Sequence, residues 1–311
     1  MRLLGALFYR LMQVFGLVLR VTPTCIKSAI GTAGAFLWLD VVGFRRRVVL
    51  LNLAFAFPRN PEESSTAFKE RIYTLARANL KNYFLGFFEV LEKTTWSYET
   101  FQKKVTFEGI EHIHKVMADG KGAFFLGSHM GNWEVNLALS RWVGKPLSVI
   151  VRYVRNSFWD EALKLSREKF EVNLLPEQSS GVAALRAYKK GHMVAFVLDQ
   201  HTGEPHGVLA RFFGLKAWSA KGLAILSSRL NAKILPLYTY RANGKINVVV
   251  LPPMEMDDLG ECREDAQILE HVQRCNNMIE SWVRKYPDQY FWIHRRFKAH
   301  FDYKTEKLPF P

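Results

Sequence analysis

The sequence predicts an α/β fold, in which a central, mostly parallel sheet is flanked by helices and preceded by an N-terminal helical segment. Two observations support this prediction. From about residue 105 onward, short apolar runs of strand length alternate with stretches that have helical periodicity. Before that point the chain is apolar and basic, and long stretches of it have the pattern of helices.

Composition and charge restrict the classes of protein to consider. The chain has 311 residues, of which 49% are hydrophobic and 23% charged, so it is neither disordered nor of low complexity. Its three cysteines are scattered and show no disulfide framework or zinc spacing, which favours a reducing compartment. A net charge of +14 indicates an anionic partner, which could be nucleic acid, an acidic protein or a membrane surface.

The N-terminal segment combines charge with apolar runs. Residues 1–60 contain eight Lys and Arg side chains and one acid, and they include apolar runs at residues 3–19 and 29–42. Apolar stretches bordered by arginine suit an anionic bilayer. A spanning helix needs about 20 apolar residues, and Arg10 near the middle of the first run would be costly at depth. We therefore favour a helix lying in the membrane interface over a short span or a buried core helix.

The domain division follows a turn-rich break at residues 57–61, Phe-Pro-Arg-Asn-Pro. Residues 1–60 are predicted to form the membrane-associating helices and residues 61–311 a single α/β domain. A long helix is predicted over residues 62–91. Its aromatic face would either pack into the core or contact an acyl chain or membrane, because both arrangements bury one helical face.

The α/β domain is predicted from alternating strands and helices. Apolar strand candidates are residues 123–126, 147–151, 193–198, 234–238 and 246–251. Helical candidates are residues 110–118, 134–142, 158–170, 181–189, 220–229 and 264–284.

The most informative segment is residues 127–134, Gly-Ser-His-Met-Gly-Asn-Trp-Glu, which links a strand to a helix. Asn132 suits an N-cap and would place Glu134 in the first helical turn. On a continuous helix His129 and Glu134 would point roughly 140° apart. They can meet only if His129 lies on the preceding loop and Gly131 allows a sharp turn. A carboxylate that faces an imidazole fixes its tautomer and stabilises its cation, as a general base requires.

Other chemistries fit this segment less well. A nucleophilic Ser128 would need glycines where Leu126 and Met130 stand. The zinc motif H-E-x-x-H is absent, and His201 and His206 lie in a stretch that has the composition of an irregular loop. The sequence therefore predicts no metal and no cofactor.

Two other predicted strands also end in polar residues. The strand at 147–151 is followed by Arg152, and the strand at 193–198 by Asp199. Ligands of open α/β sheets bind beyond the carboxyl ends of the strands, so His129, Arg152 and Asp199 could share one crevice. The simpler alternatives are a surface ion pair for Arg152 and a loop cap for Asp199.

Residues 127–134 resemble the H-x4-D/E motif of the bacterial lipid A biosynthesis acyltransferases, the late lauroyl and myristoyl transferases. The resemblance covers nearly the whole chain, and further family patterns follow in the same order. They are Arg46-Arg47-Val48 with Asn52-Leu53 and Phe57-Pro58, Arg152 with Asn156, Asp199-Gln200, Phe212-Phe213-Gly214, and residues 289–298.

This resemblance implies a glycerolipid-acyltransferase-like fold and an enzyme on the cytoplasmic face of the cell inner membrane. It implies acyl transfer from a thioester of acyl carrier protein or CoA to a hydroxyl of a membrane glycolipid, in the first place a lipid A precursor. The catalytic residues implied are His129, Glu134, Arg152 and Asp199. The substrate-binding residues implied are Asn132, Asn156 and Gln200.

Several alternatives stay open at this stage. Tyr153, His201 and Trp218 depart from the family patterns, so the acceptor could be another glycolipid or a phospholipid. A thioesterase would use the same histidine base with water as the acceptor. A non-catalytic basic protein is also possible, but no nucleic-acid motif is present and we expect no nucleic-acid partner. Either Glu134 or Asp199 could be the nearer partner of His129.

Overall fold

The computed structural model describes residues 2–151, 158–168, 170, 172–176, 180–256, 262 and 264–310. Its strands are β1 (Val105–Glu108), β2 (Ala123–Gly127), β3 (Leu147–Val151), β4 (Asn173–Pro176), β5 (Met193–Val197), β6 (Gly207–Phe212), β7 (Leu215–Ala220), β8 (Ile234–Ala242) and β9 (Lys245–Val250). Its α-helices are α1 (Arg2–Val21), α2 (Thr24–Phe36), α3 (Arg46–Ala56), α4 (Ser65–Lys93), α5 (Tyr98–Lys104), α6 (Ile110–Val116), α7 (Leu139–Val143), α8 (Phe158–Glu168), α9 (Ser180–Lys189), α10 (Gly222–Leu230) and α11 (Asp265–Lys285).

The central sheet has the strand order β1-β9-β8-β2-β5-β3-β4. Its neighbouring strands run parallel except in the β8–β9 hairpin. The predicted α/β fold with a mostly parallel sheet is therefore confirmed, and all five predicted strands are present. Strands β1 and β4 and the separate antiparallel hairpin of β6 and β7 were not predicted.

The sheet is buried on both faces, which explains why its strands are continuous apolar runs. Along β2, Phe124 and Leu126 belong to one hydrophobic cluster, whereas Ala123 and Phe125 belong to a second. Successive side chains of a strand point to opposite faces, so these clusters lie on the two sides of the sheet. The carboxyl ends of β2, β3 and β5 lie at the same edge, because these strands are parallel neighbours.

The two N-terminal helical segments cover α4 but leave much apolar surface exposed. The first packs so closely that a Cβ on Gly16 would lie 2.4 Å from the carbonyl oxygen of Leu91. Helix α2 continues as a π-helix over Leu37–Val42. The segments Leu3–Val21 and Thr24–Val42 are each long and apolar enough to cross a membrane, and only 17% of each apolar window is buried. This exposure is unlike that of a core helix, and the two helices fit a membrane-associating segment.

Helix α3 behaves differently, although it also belongs to residues 1–60. Its residues 48–54 are all buried, and all of them except Asn52 belong to the main hydrophobic cluster. The side-chain amide of Asn52 donates to the carbonyl oxygens of Trp292 and His294 at 2.7 and 2.8 Å. The exposed apolar surface of the N-terminal segment therefore ends before α3. The division into domains at residue 60 stays a prediction.

Candidate active site

His129 lies on the loop that follows β2, at the carboxyl edge of the sheet. The loop turns at Gly131, whose φ is +58°, and a Cβ there would lie 2.4 Å from the carbonyl oxygen of Thr239. Only glycine combines this conformation with so close an approach. The backbone N–H of Gly131 donates to the carbonyl of Gln289 at 2.8 Å. The predicted sharp turn at Gly131, with His129 on the loop before it, is confirmed.

Asp199, on the loop after β5, is the hydrogen-bond partner of His129. Its Oδ1 lies 2.8 Å from Nδ1 of the imidazole, and its Oδ2 accepts from the backbone N–H of His129 at 3.0 Å. The carboxylate therefore fixes both the ring and the loop. With the proton on Nδ1 directed at Asp199, the lone pair of Nε2 remains for a substrate proton. The His129 side chain is 22% exposed, so the imidazole is partly open to solvent.

The charges around the ring favour its protonated form. Burial alone would lower the pKa of His129, but the charge of Asp199, the hydrogen bond to it and the charge of Glu134 together raise that pKa above its ordinary value. Burial likewise opposes ionisation of Asp199, yet the charge of His129 and the two hydrogen bonds lower the Asp199 pKa. The pair is suited to accept a proton and to stabilise the resulting imidazolium.

Glu134 is held by other residues. Arg167 on α8 donates to its two carboxylate oxygens at 2.6 and 3.3 Å. Lys93, at the end of α4, is fully buried and places Nζ 3.6 Å from the Glu134 carboxylate and 2.9 Å from its backbone oxygen. Burial disfavours the charged carboxylate, but these two cations lower the pKa of Glu134 to about 2. Glu134 is therefore a fixed negative charge near His129, but it makes no hydrogen bond to the imidazole, whose partner is Asp199.

The helix start at Asn132 also differs from the prediction. Asn132 does precede a helix, but this is a 3₁₀ turn over Trp133–Ala138, and its side chain makes no capping bond. The buried amide of Asn132 donates instead to Glu89 on α4 at 3.1 Å. Glu89 in turn pairs with Arg241 on β8 at 2.6 Å, so Asn132 connects the loop that carries His129 to α4 and to the sheet.

Gln200 lies beside the imidazole. Its amide nitrogen is 3.4 Å from both Nδ1 and Nε2 of His129, which is too long and too symmetric for a strong hydrogen bond. The ring of Trp133 stands 5.0 Å from that of His129, and the ring of Phe291 stands 5.9 Å from it. The imidazole of His129 is therefore bordered by the amide of Gln200 and by the rings of Trp133 and Phe291.

A C-terminal strap, defined here as residues 287–298, holds both loops of the site. Phe291 donates its N–H to the carbonyl of His129 at 3.0 Å. The hydroxyl of Tyr290 donates to the backbone oxygen of Asp199 at 3.2 Å. The backbone N–H of His201 donates to Nε2 of His294 at 2.9 Å. The strap therefore fixes the distance between the loop after β2 and the loop after β5.

Arg296 is the most buried charge of the strap and was not predicted to have a structural role. It is only 2% exposed and donates to the carbonyls of Gln200, at 3.2 Å, and Trp218. It also donates to the hydroxyl of Ser219 at 2.7 Å. The sequence pattern Arg-Arg-Phe-Lys resembles a surface charge cluster, and its aromatic neighbours were the only signal of burial.

Arg152 and Asn156 lie outside the described residues, so their predicted roles stay predictions. Lys93 and Arg167, which hold Glu134, were not among the predicted site residues. Within the described ranges, no group of three or more His, Cys, Asp or Glu side chains is placed to hold a metal ion.

Comparisons with known proteins identify the family to which the chain is similar. Residues 2–299 match the family model for bacterial lipid A biosynthesis acyltransferases. A lipid A biosynthesis acyltransferase of Haemophilus influenzae is 24% identical over 284 residues, which cover 90% of this chain and 84% of that protein. The lipid A biosynthesis myristoyltransferase of Escherichia coli K12 is 23% identical over 82% of this chain and 75% of its own length. The lauroyltransferase of the same strain is 24% identical over 82% and 79%. The chain belongs to the bacterial lipid A biosynthesis acyltransferase family.

Proposed function

We propose that this protein transfers a fatty acyl chain from the thioester of acyl carrier protein to a hydroxyl group of a lipid A precursor. Membership of the family supports acyl transfer as the reaction and a lipid A precursor as the acceptor. The observation that carries the chemistry is the hydrogen bond between Asp199 and Nδ1 of His129, which leaves Nε2 of this partly exposed imidazole without a carboxylate partner among the described residues at the carboxyl edge of the sheet. CoA is the alternative carrier of the acyl group.

In the proposed mechanism, Nε2 of His129 accepts the proton of the acceptor hydroxyl as its oxygen attacks the thioester carbonyl carbon. The new C–O bond forms, the C–S bond breaks, and the imidazolium returns its proton to the departing thiolate. No covalent enzyme intermediate is needed. Asp199 stabilises the imidazolium directly, and the fixed charge of Glu134 adds to this effect.

The substrate contacts are proposals as well. Gln200, whose amide nitrogen is 3.4 Å from both ring nitrogens of His129, would meet a polar group of the substrate there. Arg152 would bind an acceptor phosphate or the donor, because a guanidinium fork matches phosphate oxygens, and Asn156 would act nearby. Asn132 already donates to Glu89, so we assign it the positioning of the loop.

We further propose that the enzyme docks on the cytoplasmic face of the cell inner membrane through α1, α2 and the π-helix. The exposed apolar side chains of this surface support the proposal: Leu3, Leu4, Leu7, Leu11, Val14, Phe15, Leu17, Val18, Ile26, Ile30, Phe36, Leu37, Val41, Val42 and Phe44. The same segments also pack against the body of the protein, which favours an interfacial position over spanning.

The test is acyl transfer by purified full-length enzyme from acyl–acyl carrier protein to a lipid A precursor. His129→Ala is expected to reduce kcat/KM by about a thousandfold, because the general base is lost. The exposed His114 on α6 provides the control, His114→Ala, which should behave like wild type. Full transfer by His129→Ala would refute the proposed base. Release of free fatty acid at a rate unaffected by the lipid would indicate a thioesterase instead.

A further inference from the structure

Two basic clusters of the sequence, residues 45–47 and residues 295–298, each contain a structural member and exposed members. Arg47 donates from Nε to the carbonyl of Tyr303 at 2.8 Å, and Arg296 is buried as described above. The other four basic side chains of the two clusters are exposed, and we call them the basic patch: Arg45, Arg46, Arg295 and Lys298. The exposed members, unlike Arg47 and Arg296, have charged heads that lie partly in solvent.

The two clusters are joined in space although they are far apart in the chain. Arg45 donates from Nη1 to the carbonyl of Ile293 on the strap at 3.1 Å. Within the described part of the chain, none of the four basic side chains forms an ion pair. The carboxylate of Asp302 is near enough to sense the charge of Arg295, but it accepts hydrogen bonds from Lys304 and Thr305. The basic patch therefore has excess positive charge.

One side of the basic patch borders the apolar surface. Arg46 directs Nη1 toward the carbonyl of Leu39 in the π-helix, at 3.4 Å. Phe44, which directly precedes the patch, is 56% exposed, and Val41 and Val42 are more exposed still. Basic side chains at the end of an apolar surface settle at the level of lipid headgroups and their phosphates.

The other side of the basic patch belongs to the strap, which contacts the loop after β5. Arg296, which lies between Arg295 and Lys298 on the strap, donates to the carbonyl of Gln200 at 3.2 Å. His294 accepts the backbone N–H of His201, and Gln200 beside His201 lies against the imidazole of His129. The basic patch thus borders the apolar surface on one side and, on the other, the strap that contacts the loops of His129 and Asp199.

We propose that the basic patch binds the phosphate group of an anionic glycolipid acceptor while a hydroxyl of the same lipid reaches His129. This inference rests on the proposed function and specifies how its acceptor is recognised. An acidic carrier protein would also be attracted by positive charge, but it approaches from solvent and gains nothing from an apolar border. A lipid with its acyl chains in the bilayer and its phosphate in the headgroup layer fits both sides of the patch.

The test compares two double variants that remove the same charge. Arg295→Ser with Lys298→Ser changes the patch, whereas Lys189→Ser with Lys190→Ser changes two exposed lysines near the amino end of β5, at the opposite edge of the sheet. Each full-length enzyme is assayed with a phosphorylated lipid A precursor and with the same lipid after phosphatase treatment. Binding to neutral vesicles that contain either lipid is measured in parallel and needs no catalysis.

The patch variant is expected to raise KM about tenfold for the phosphorylated lipid, because two charge-assisted contacts are lost. Its kcat, its KM for the dephosphorylated lipid and all values of the control variant should stay close to wild type. Equal changes with both lipids, or no change, would overturn the proposal. So would a rise confined to the KM for acyl carrier protein, which would assign the patch to the donor.

Failure of the proposed function can be told apart from failure of this inference. If wild type transferred no acyl chain to either lipid, the vesicle measurement would still show whether the basic patch binds the phosphate of the lipid. Weaker binding of the patch variant to vesicles with phosphorylated lipid would support the inference, and equal binding of patch and control variants would refute it.

Discussion

Two buried carboxylates lie close to His129, and the structure holds them in different ways. Asp199 directs both oxygens to His129, one to the ring and one to the backbone. Glu134, the acid of the sequence motif, directs its oxygens to Arg167 and Lys93. Spacing in the motif therefore identified a neighbour of His129 but not its hydrogen-bond partner. Cations from distant helices decide which acid remains for the histidine.

The largest expected effect separates the two acids in catalysis. Asp199→Asn should lower kcat about a thousandfold, because an amide can donate to Nδ1 and then place the ring proton on Nε2, the wrong tautomer. Glu134→Gln should cost only about tenfold, because it removes a more distant charge. Steady-state rates of acyl transfer measure both. A loss for Glu134→Gln as large as that for Asp199→Asn would make Glu134 the direct partner.

The next effect concerns the cations that hold Glu134. Lys93→Met should reduce the free energy of unfolding by about 3 kcal/mol, because it leaves Glu134 buried with a single cationic partner. The matched control is Lys103→Met, which breaks the exposed pair with Glu99 and should cost no more than about 0.5 kcal/mol. Denaturant unfolding followed by tryptophan fluorescence compares them. Similar losses in both variants would contradict the role given to Lys93.

The pH dependence of the free energy of unfolding tests the cluster of Glu134, Lys93 and Arg167 through the ionisation of Glu134. Its folded pKa of about 2 lies below its ordinary value of 4.5. The ionised carboxylate therefore stabilises the fold above pH 4.5, and this contribution, about 3 kcal/mol, is lost as the pH falls toward 2. Unfolding measured between pH 5 and pH 2 should show a shallower decline for Glu134→Gln than for wild type. Parallel declines would mean that the cluster does not hold the charge.

The smallest effect is a shift of the pH profile. The base works when neutral, so kcat/KM should rise with pH through the raised pKa of His129. Asp199→Asn removes the charge that raises this pKa. The residual kcat/KM of this variant should therefore begin to rise at a lower pH than that of wild type. Glu134→Gln should shift this rise in the same direction but less. An unchanged profile in Asp199→Asn would show that another group controls the acid limb.

The sequence could predict the central strands because burial on both faces makes them continuous apolar runs, as in Phe124–Leu126. It could not predict β4, whose residues are partly exposed and end in Pro176. The hairpin of β6 and β7 was missed because its short strands mix polar and apolar residues without a clear run. Exposure of one face replaces the continuous apolar run with an alternating pattern, which is hard to recognise in strands of four to six residues.

The site was predictable where chemistry follows directly on a strand, as for His129 and Asp199. It was not predictable where partners come from helices far away in the chain, as for Lys93 and Arg167. Arg296 shows the opposite difficulty, because a charged residue among other charges looks solvated until its carbonyl partners are known. Local sequence carries information about neighbours in the chain, whereas these contacts depend on how the helices pack.

The C-terminal strap has a consequence for the order in which the protein matures. During synthesis the apolar N-terminal helices are made first, and the strap is made after every part of the site that it holds. The contacts of Tyr290 with Asp199 and of Phe291 with His129 can therefore form only after translation has passed residue 291. The N-terminal helices are therefore complete in the growing chain before the loops that carry His129 and Asp199 can be held together.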